Sequence, residues 1–358
     1  FIGDELALTQ ALTGALTTLP ILMLAIGAMP GSLAISRIGP RNTLALAMVI
    51  MVIGSAGRGL VPDTFTLMIA SAVMGLGVAM MQPALPALLP RWLEPHHIAL
   101  GSAIYMNGML MGEFIGAGIT LPVLMPLLDN SWRATVLAWS LPALLVVAAL
   151  FLPKRDLARP ARKAAWLPDW KNPLTLRLGL LLGLSGSMFF GLNAYMGNLL
   201  EQQGRIGLLS EALFWYNIAQ VFASLVMLKM ARAWVGRRTF IVVMAVLSIA
   251  GTAGTLVLEG WWFIASATLM SFVAGILLIL LVALPPLLVN SAETGRLSAG
   301  TFLVGYTMAF SVPMLGGLLA DWTGDTRHAV MAMVAYSLLV LPLAFTLDLK
   351  RKKDQPAS

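Results

Sequence analysis

Glu113 is the side chain whose type and setting raise the first chemical question. It stands in YMNGMLMGEFIGAGITLPVLM, residues 105–125, where almost every other position is apolar or glycine. A carboxylate facing hydrocarbon costs at least several kcal/mol. Glu113 is therefore expected to face the interior of a helix bundle, to carry a proton, or both. A carboxyl group that exchanges its proton in such a place can carry that proton across the layer, which makes Glu113 the candidate proton-coupling residue. The competing reading is a neutral glutamic acid held by structural hydrogen bonds. On a helix Glu113 shares a face with Met106, Met109, Leu110, Gly116 and Ala117. The polar side chain on that face is Thr120, about two turns away, so a partner has to come from another helix.

No catalytic chemistry is written into the chain. There is no catalytic triad, no Gly-rich phosphate loop and no HExxH, so no catalytic residue, no cofactor and no enzyme activity are expected. With zero cysteines, disulfides and thiolate metal sites are excluded. His96 and His97, in RWLEPHH, are read as a solvated loop in preference to a metal or pH-sensing site, and no metal is expected. Energy for any work must come from an ion gradient or from the substrate's own.

The elements around Glu113 follow from composition. Of 358 residues, 59% are hydrophobic and 11% charged, with a mean hydropathy of +0.86. Soluble domains are about a quarter charged. Apolar stretches long enough to cross a hydrocarbon layer of about 30 Å fall at 9–34, 43–60, 65–89, 98–126, 133–152, 174–199, 210–230, 239–258, 261–289, 297–320 and 328–349. Strand-period alternation is nowhere sustained. The chain reads as an all-α polytopic membrane protein. Assigning alternate connections to alternate sides places 19 of the 23 Lys and Arg residues on one side and four, Arg58, Arg133, Arg205 and Arg327, on the other. The rich side is cytoplasmic, and the C-terminus with it. The net charge of +7 is then a topology signal, and no nucleic-acid partner is needed.

An internal repeat divides the chain. PALPALLP at 83–90 and VALPPLLV at 282–289 share five residues in register at an offset of 199, which also maps Gly101 onto Gly300 and Gly118 onto Gly317. RIGPR at 37–41 and WVGRR at 234–238 match at an offset of 197. Several matches in one order at nearly one spacing indicate duplication, and an even number of intervening spans makes the repeats parallel. The expected domains are an N-terminal half over 1–152, a cytoplasmic linker over 153–173, a C-terminal half over 174–349 and a basic tail over 350–358. The offset places the partner of span 174–199 just upstream of Phe1. A first span is thus expected before the sequence as given, for twelve in two sixes, of which eleven are present. Pro86 and Pro285, at equivalent positions, predict matched bends.

Two parallel six-helix repeats, a basic central linker and basic loops at 37–41 and 234–238 resemble the major facilitator superfamily. In GSLAISRIGPRNT, Arg37, Gly39 and Arg41 match that family's loop motif, while Ser36 stands where an Asp belongs. Arg37, Gly39, Arg41, Gly236, Arg237 and Arg238 are the gating-loop residues this implies. Three stretches, TGALTTLPILMLAIGAMPGSLAISRIGPRNTLALAMVIMVIGSAGRGL, GLGVAMMQPALPALLPRW and SWRATVLAWSLPAL, resemble the cyanate and nitroimidazole porter group. The resemblance implies a secondary active or facilitative transporter in a bacterial inner membrane. It would move a small anionic or neutral solute by alternating access, with protons as a candidate coupling ion. Its partners would be that small molecule and membrane lipid, and a monomer is expected. In GMLMGEFIGAG the resemblance is to the fifth-span motif of drug/proton antiporters, with Glu113 replacing its proline. This keeps export of hydrophobic compounds as the alternative. The plainer reading of Gly108, Gly112, Gly116 and their counterparts Gly316 and Gly317 is a small-residue packing seam.

In such an architecture the fourth, seventh and tenth spans of twelve line a cavity, so polar groups there are substrate-binding candidates. These are Gln82 on the fourth span and Asn193, Tyr195 and Asn198 in SGSMFFGLNAYMGN on the seventh; Asn217 in FWYNIAQ on the eighth span is a further candidate, as are Asn107 and Tyr306, which occupy corresponding positions at the 199 offset. Structural hydrogen bonding between helices competes with this reading at each. Trp215 and Tyr216 are expected among interface aromatics.

Overall fold

The fold was obtained as a computed structural model, which describes residues 10–150 and 167–349. The basic clusters at 154–163 and 350–353, and the side chain of Glu113, lie outside the described residues. Within them there is no strand, and nine helices are long and apolar enough to cross a membrane. The ten long helices are α1 Gln10–Leu60, α2 Thr64–Trp92, α3 Ile98–Ile119, α4 Trp132–Leu150, α5 Pro173–Gln202, α6 Leu209–Trp234, α7 Arg238–Val257, α8 Trp261–Val282, α9 Ser291–Thr323 and α10 Arg327–Val340. All eleven apolar stretches are helical over most of their described length.

Two of the stretches, 9–34 and 43–60, share α1. A straight helix of its 51 residues would be about 76 Å long, more than twice the hydrocarbon layer of about 30 Å. Gly39 breaks it, at φ 81 and ψ 160, a conformation all but reserved for glycine. Pro40 then restarts the helix with φ preset and no N–H to leave unpaired. Thr43 Oγ1 donates to the Gly39 carbonyl at 2.8 Å. Gly236, at the matching place in the second half, stands at φ 80 between α6 and α7.

The chain divides into two compact units. The first comprises Phe1–Trp92, Gly112–Pro168 and Ser291–Leu303. In it α1 lies against α2 through glycine: a Cβ at Gly54 would enter the Met74 backbone and one at Gly77 the Met51 backbone. Leu44, Met48, Ala84, Leu88 and Leu150 form one core cluster, and Val61, Leu67, Met125 and Trp132 another. α4 leaves Leu141, Leu144 and Leu145 exposed, an apolar face suited to lipid.

The second unit comprises Leu93–Met111, Asp169–Asn290 and Val304–Ser358. Its centre is α8, which carries no charged side chain and is buried along most of its length. A helix with no polar face has to be enclosed in this way. Its uncovered side chains fall in its first half, where Trp261, Trp262 and Leu269 are exposed, the two tryptophans as suits a membrane interface.

The two proline sites differ in helix continuity. α2 stays helical through Pro83, Pro86 and Pro90. α8 ends at Val282, and a four-residue helix, Pro285–Leu288, follows. The second copy carries Pro286 where the first carries Ala87. Two consecutive prolines remove two consecutive N–H donors, and the second disfavours helical geometry at the first.

Candidate functional site

The polar groups of the second unit collect along one stripe of α6. Asn217, Gln220 and Ser224 are spaced i, i+3 and i+7, which puts them on one face. Asn193 of α5 donates through Nδ2 to Asn217 Oδ1 at 3.4 Å. Asn107 of α3 donates through Nδ2 to Ser224 Oγ at 2.8 Å. Between them, Gln220 Nε2 donates to the Ser271 carbonyl of α8 at 2.9 Å, and Ser271 Oγ donates to the Tyr216 carbonyl at 2.6 Å. Gly275 makes the room: a Cβ there would meet Gln220 Oε1 at 2.8 Å. The stripe is thus satisfied and buried in its middle, at Gln220 and Ser271, and open at Asn217, which is exposed.

All members are uncharged. Each amide offers donors and an acceptor and each hydroxyl offers both, so the stripe can hold a small solute carrying lone pairs without burying a charge of its own. A further hydroxyl in this unit, Tyr105 Oη on α3, is buried and has no hydrogen-bond partner among the described residues. Buried polar atoms in that state are rare and call for a reason.

The remaining candidates are placed differently. Tyr195 Oη donates to the Pro313 carbonyl of α9 at 2.8 Å. Gly317 permits the approach, since a Cβ there would strike the Tyr195 hydroxyl. As the two-residue spacing requires, Asn193 and Tyr195 engage different helices. Tyr306 is buried in α9. Asn198 is exposed and Gln82, in the first unit, is partly buried; neither forms a hydrogen bond among the described residues. Tyr216 departs from its expected interface position. It is fully buried, stacks on Phe189 at 5.3 Å and 12°, and donates to the Phe189 carbonyl at 2.8 Å. Trp215, one residue away and so on another face, is exposed. Ser224 and Ser271 were not singled out from sequence. Ser224 could have been, as the i+7 partner of Asn217.

The two glycine runs differ in what the described residues place against them. Cβ atoms at Gly108, Gly112 and Gly116 would meet nothing within 4 Å among the described residues. At Gly316 a Cβ would lie 2.8 Å from the Ala329 carbonyl oxygen, so the second copy is the packed one. Thr120 is engaged elsewhere, accepting from Trp139 Nε1 at 3.0 Å and donating to the Gly116 carbonyl.

The gating-loop arginines form a matched pair. Arg41 donates through Nε and Nη2 to the Leu150 carbonyl, at 3.0 and 2.6 Å, at the end of α4. Arg238, two residues after Gly236 as Arg41 follows Gly39, donates through Nη1 to the Phe345 carbonyl at 2.7 Å. In each half, an arginine two residues after the left-handed glycine donates to a backbone carbonyl more than a hundred residues away in the chain. Ser36, in place of the motif's Asp, donates to the Leu33 carbonyl of its own helix at 2.8 Å. Arg37 and Arg237 are exposed.

Comparison with known proteins agrees with this architecture. The family model described as Major Facilitator Superfamily matches residues 1–208. The cyanate transport protein CynX of Escherichia coli (strain K12) is 26% identical over 344 residues, 92% of this chain and 86% of that protein. The 2-nitroimidazole transporter of the same organism is 26% identical over 357 residues, 95% of this chain and 86% of that protein. Among solved structures, the human organic anion transporter MFSD10 superposes with a TM-score of 0.75 at 15% identity, covering 92% of this chain and 83% of that one. That likeness speaks to the fold. The chain belongs to the Major Facilitator Superfamily and is a membrane transporter of small solutes.

Proposed function

We propose that the chain is a secondary active or facilitative transporter that moves a small anionic or neutral solute across a bacterial inner membrane by alternating access, with its C-terminus cytoplasmic. The observation that carries this reading is the uncharged stripe from Asn193 through Asn217 to Asn107 in an otherwise apolar bundle. Amide and hydroxyl donors suit an anion whose charge is spread over a few acceptor atoms, or a neutral solute rich in such atoms. Neither requires a buried counter-charge. The names of the two Escherichia coli relatives, one for cyanate and one for 2-nitroimidazole, support the same size class. The halves over 1–152 and 174–349, joined by the linker 153–173, are the moving bodies in this reading. It is supported by the arginine that ties the basic loop of each to a backbone carbonyl late in the same half.

Counterflow in proteoliposomes tests it, with cyanate, small carboxylates, nitroimidazoles and cationic dyes as separate solutes. Exchange of one of the first three, weakened by Asn217→Ala, is the expected result. Exchange of dyes alone would replace this reading with export of hydrophobic cations. Coupling to protons is assigned to Glu113. Glu113→Gln should abolish gradient-driven accumulation while leaving exchange intact, because exchange needs no net proton movement. Accumulation and pH dependence at wild-type levels would make Glu113 structural.

A further inference from the structure

The sequence holds no cysteine and three histidines. Imidazole ligands for a transition metal of intermediate softness can come from His96, His97 and His328 in this sequence. Two of these are adjacent, and the turn that carries them is unusual. The chain leaves α2 at Trp92 and passes through a single 3-10 turn, Pro95–His97, before α3 begins at Ile98. Successive side chains on such a turn project about 120° apart. Yet the His96 and His97 rings lie with centroids 3.9 Å apart and planes tilted by 42°. Glu94, just before the proline, brings Oε2 to 3.5 Å from His96 Nδ1. One nitrogen from each ring and one Glu94 oxygen all lie within 4.8 Å of one another. His328 is occupied elsewhere, its Nδ1 2.9 Å from Thr323 Oγ1.

We propose that Glu94, His96 and His97 form a binding site for a divalent transition ion of the Zn2+ or Ni2+ class, at the turn that leads into α3. Two imidazoles and one carboxylate are the donor set such ions favour, whereas Mg2+ and Ca2+ take oxygen ligands throughout. With metal–nitrogen distances of about 2.1 Å, ligand atoms around a tetrahedral centre stand about 3.4 Å apart. A spread of up to 4.8 Å closes to that by side-chain rotation alone. Glu94 and His96 keep 66% and 64% of their side-chain surface exposed, so the ion has an entry path and water completes its coordination. Pro95 holds the backbone between the oxygen donor and the two nitrogen donors, which lowers the entropy lost when all three are engaged. The bound ion ties Glu94 to His97 and stiffens the entry to the helix that carries Asn107. The site stands apart from the polar stripe and does not depend on what solute is carried.

The test uses the full chain in detergent micelles after complete removal of any polyhistidine tag. Isothermal titration with ZnCl2 and NiCl2, with MgCl2 for comparison, should give one equivalent of Zn2+ or Ni2+ and none of Mg2+. His96→Ala and His97→Gln should each abolish binding. Glu94→Gln, which keeps an oxygen donor but removes its charge, should weaken it without abolishing it. His328→Ala should leave it unchanged. Because the three residues lie at a surface turn, size-exclusion profiles should match the wild type in every variant. Absence of binding to wild type overturns the proposal. So does binding that survives His97→Gln, or binding that is lost in His328→Ala alone.

Discussion

The two copies of the basic loop and the two copies of the proline motif arose at nearly the same offset, yet only the first pair kept one geometry. Gly39 and Gly236 stand at φ 81 and 80, and each is followed two residues later by an arginine that donates to a distant backbone carbonyl, Leu150 in one case and Phe345 in the other. The proline pair has diverged, with α2 running on through Pro86 and α8 stopping before Pro285. The difference lies in what the backbone can choose. At a left-handed glycine there is one solution and the sequence states it. At a proline the outcome depends on its neighbours, because one missing N–H can be absorbed by a packed helix whereas a Pro-Pro pair cannot.

That contrast is open to direct attack. Ala87→Pro would copy the second motif into the first, at a position that is 1% exposed. It should break α2 near Pro86 and cost about 3 kcal/mol or more, read as a large fall in thermal stability in detergent. The reverse change, Pro286→Ala, should lengthen α8 toward Leu288 and cost far less. Equal effects of the two changes would mean that Pro-Pro is not what separates the copies.

The shared geometry predicts shared sensitivity. Gly39→Ala and Gly236→Ala should each destabilise by about 1–3 kcal/mol, measured by the same unfolding assay. A neutral result at either would deny that its positive φ persists in the membrane. The arginines should differ in degree. Arg41 makes two bonds to Leu150 in a partly buried setting, so Arg41→Ala should cost about 1.5–3 kcal/mol. Arg238 makes one bond at an exposed site, and Arg238→Ala should cost about 1 kcal/mol or less. An Arg238 variant as damaging as the Arg41 variant would point to partners beyond the Phe345 carbonyl.

Much of this was legible in the sequence, for reasons particular residues make plain. Span positions come from hydropathy, which bilayer thickness enforces. The break in α1 was marked by RIGPR, because glycine and proline constrain the backbone by themselves. Asn107, Asn193 and Asn217 could be picked out as polar groups in apolar helices. Their partners could not, since Ser224 is 117 residues from Asn107 and Pro313 is 118 from Tyr195. Helical spacing tells which residues share a face but not which helix that face meets. The same gap explains Tyr216, whose burial against Phe189 depends on how α5 and α6 pack together.

The glycines expose that gap most sharply, and they supply the smallest predicted effect. Gly108, Gly112 and Gly116 and the later pair Gly316 and Gly317 look alike as sequence, a run of small residues on a membrane helix. In the structure a methyl group at Gly108 meets no described atom, while at Gly316 it presses on the Ala329 backbone. Alanine at the first should therefore gain helix propensity and lose nothing, a stabilisation of about 0.5–1 kcal/mol. At Gly316 that gain is opposed by a contact that only a shift of α9 from α10 can relieve, so Gly316→Ala should destabilise. Thermal unfolding of the two single variants in one detergent compares them directly, and the expected result is a change of opposite sign. If Gly108→Ala also destabilises, a neighbour approaches α3 at Gly108 in the membrane. If both are neutral, the contact at Ala329 is loose and the second copy is no better a seam than the first.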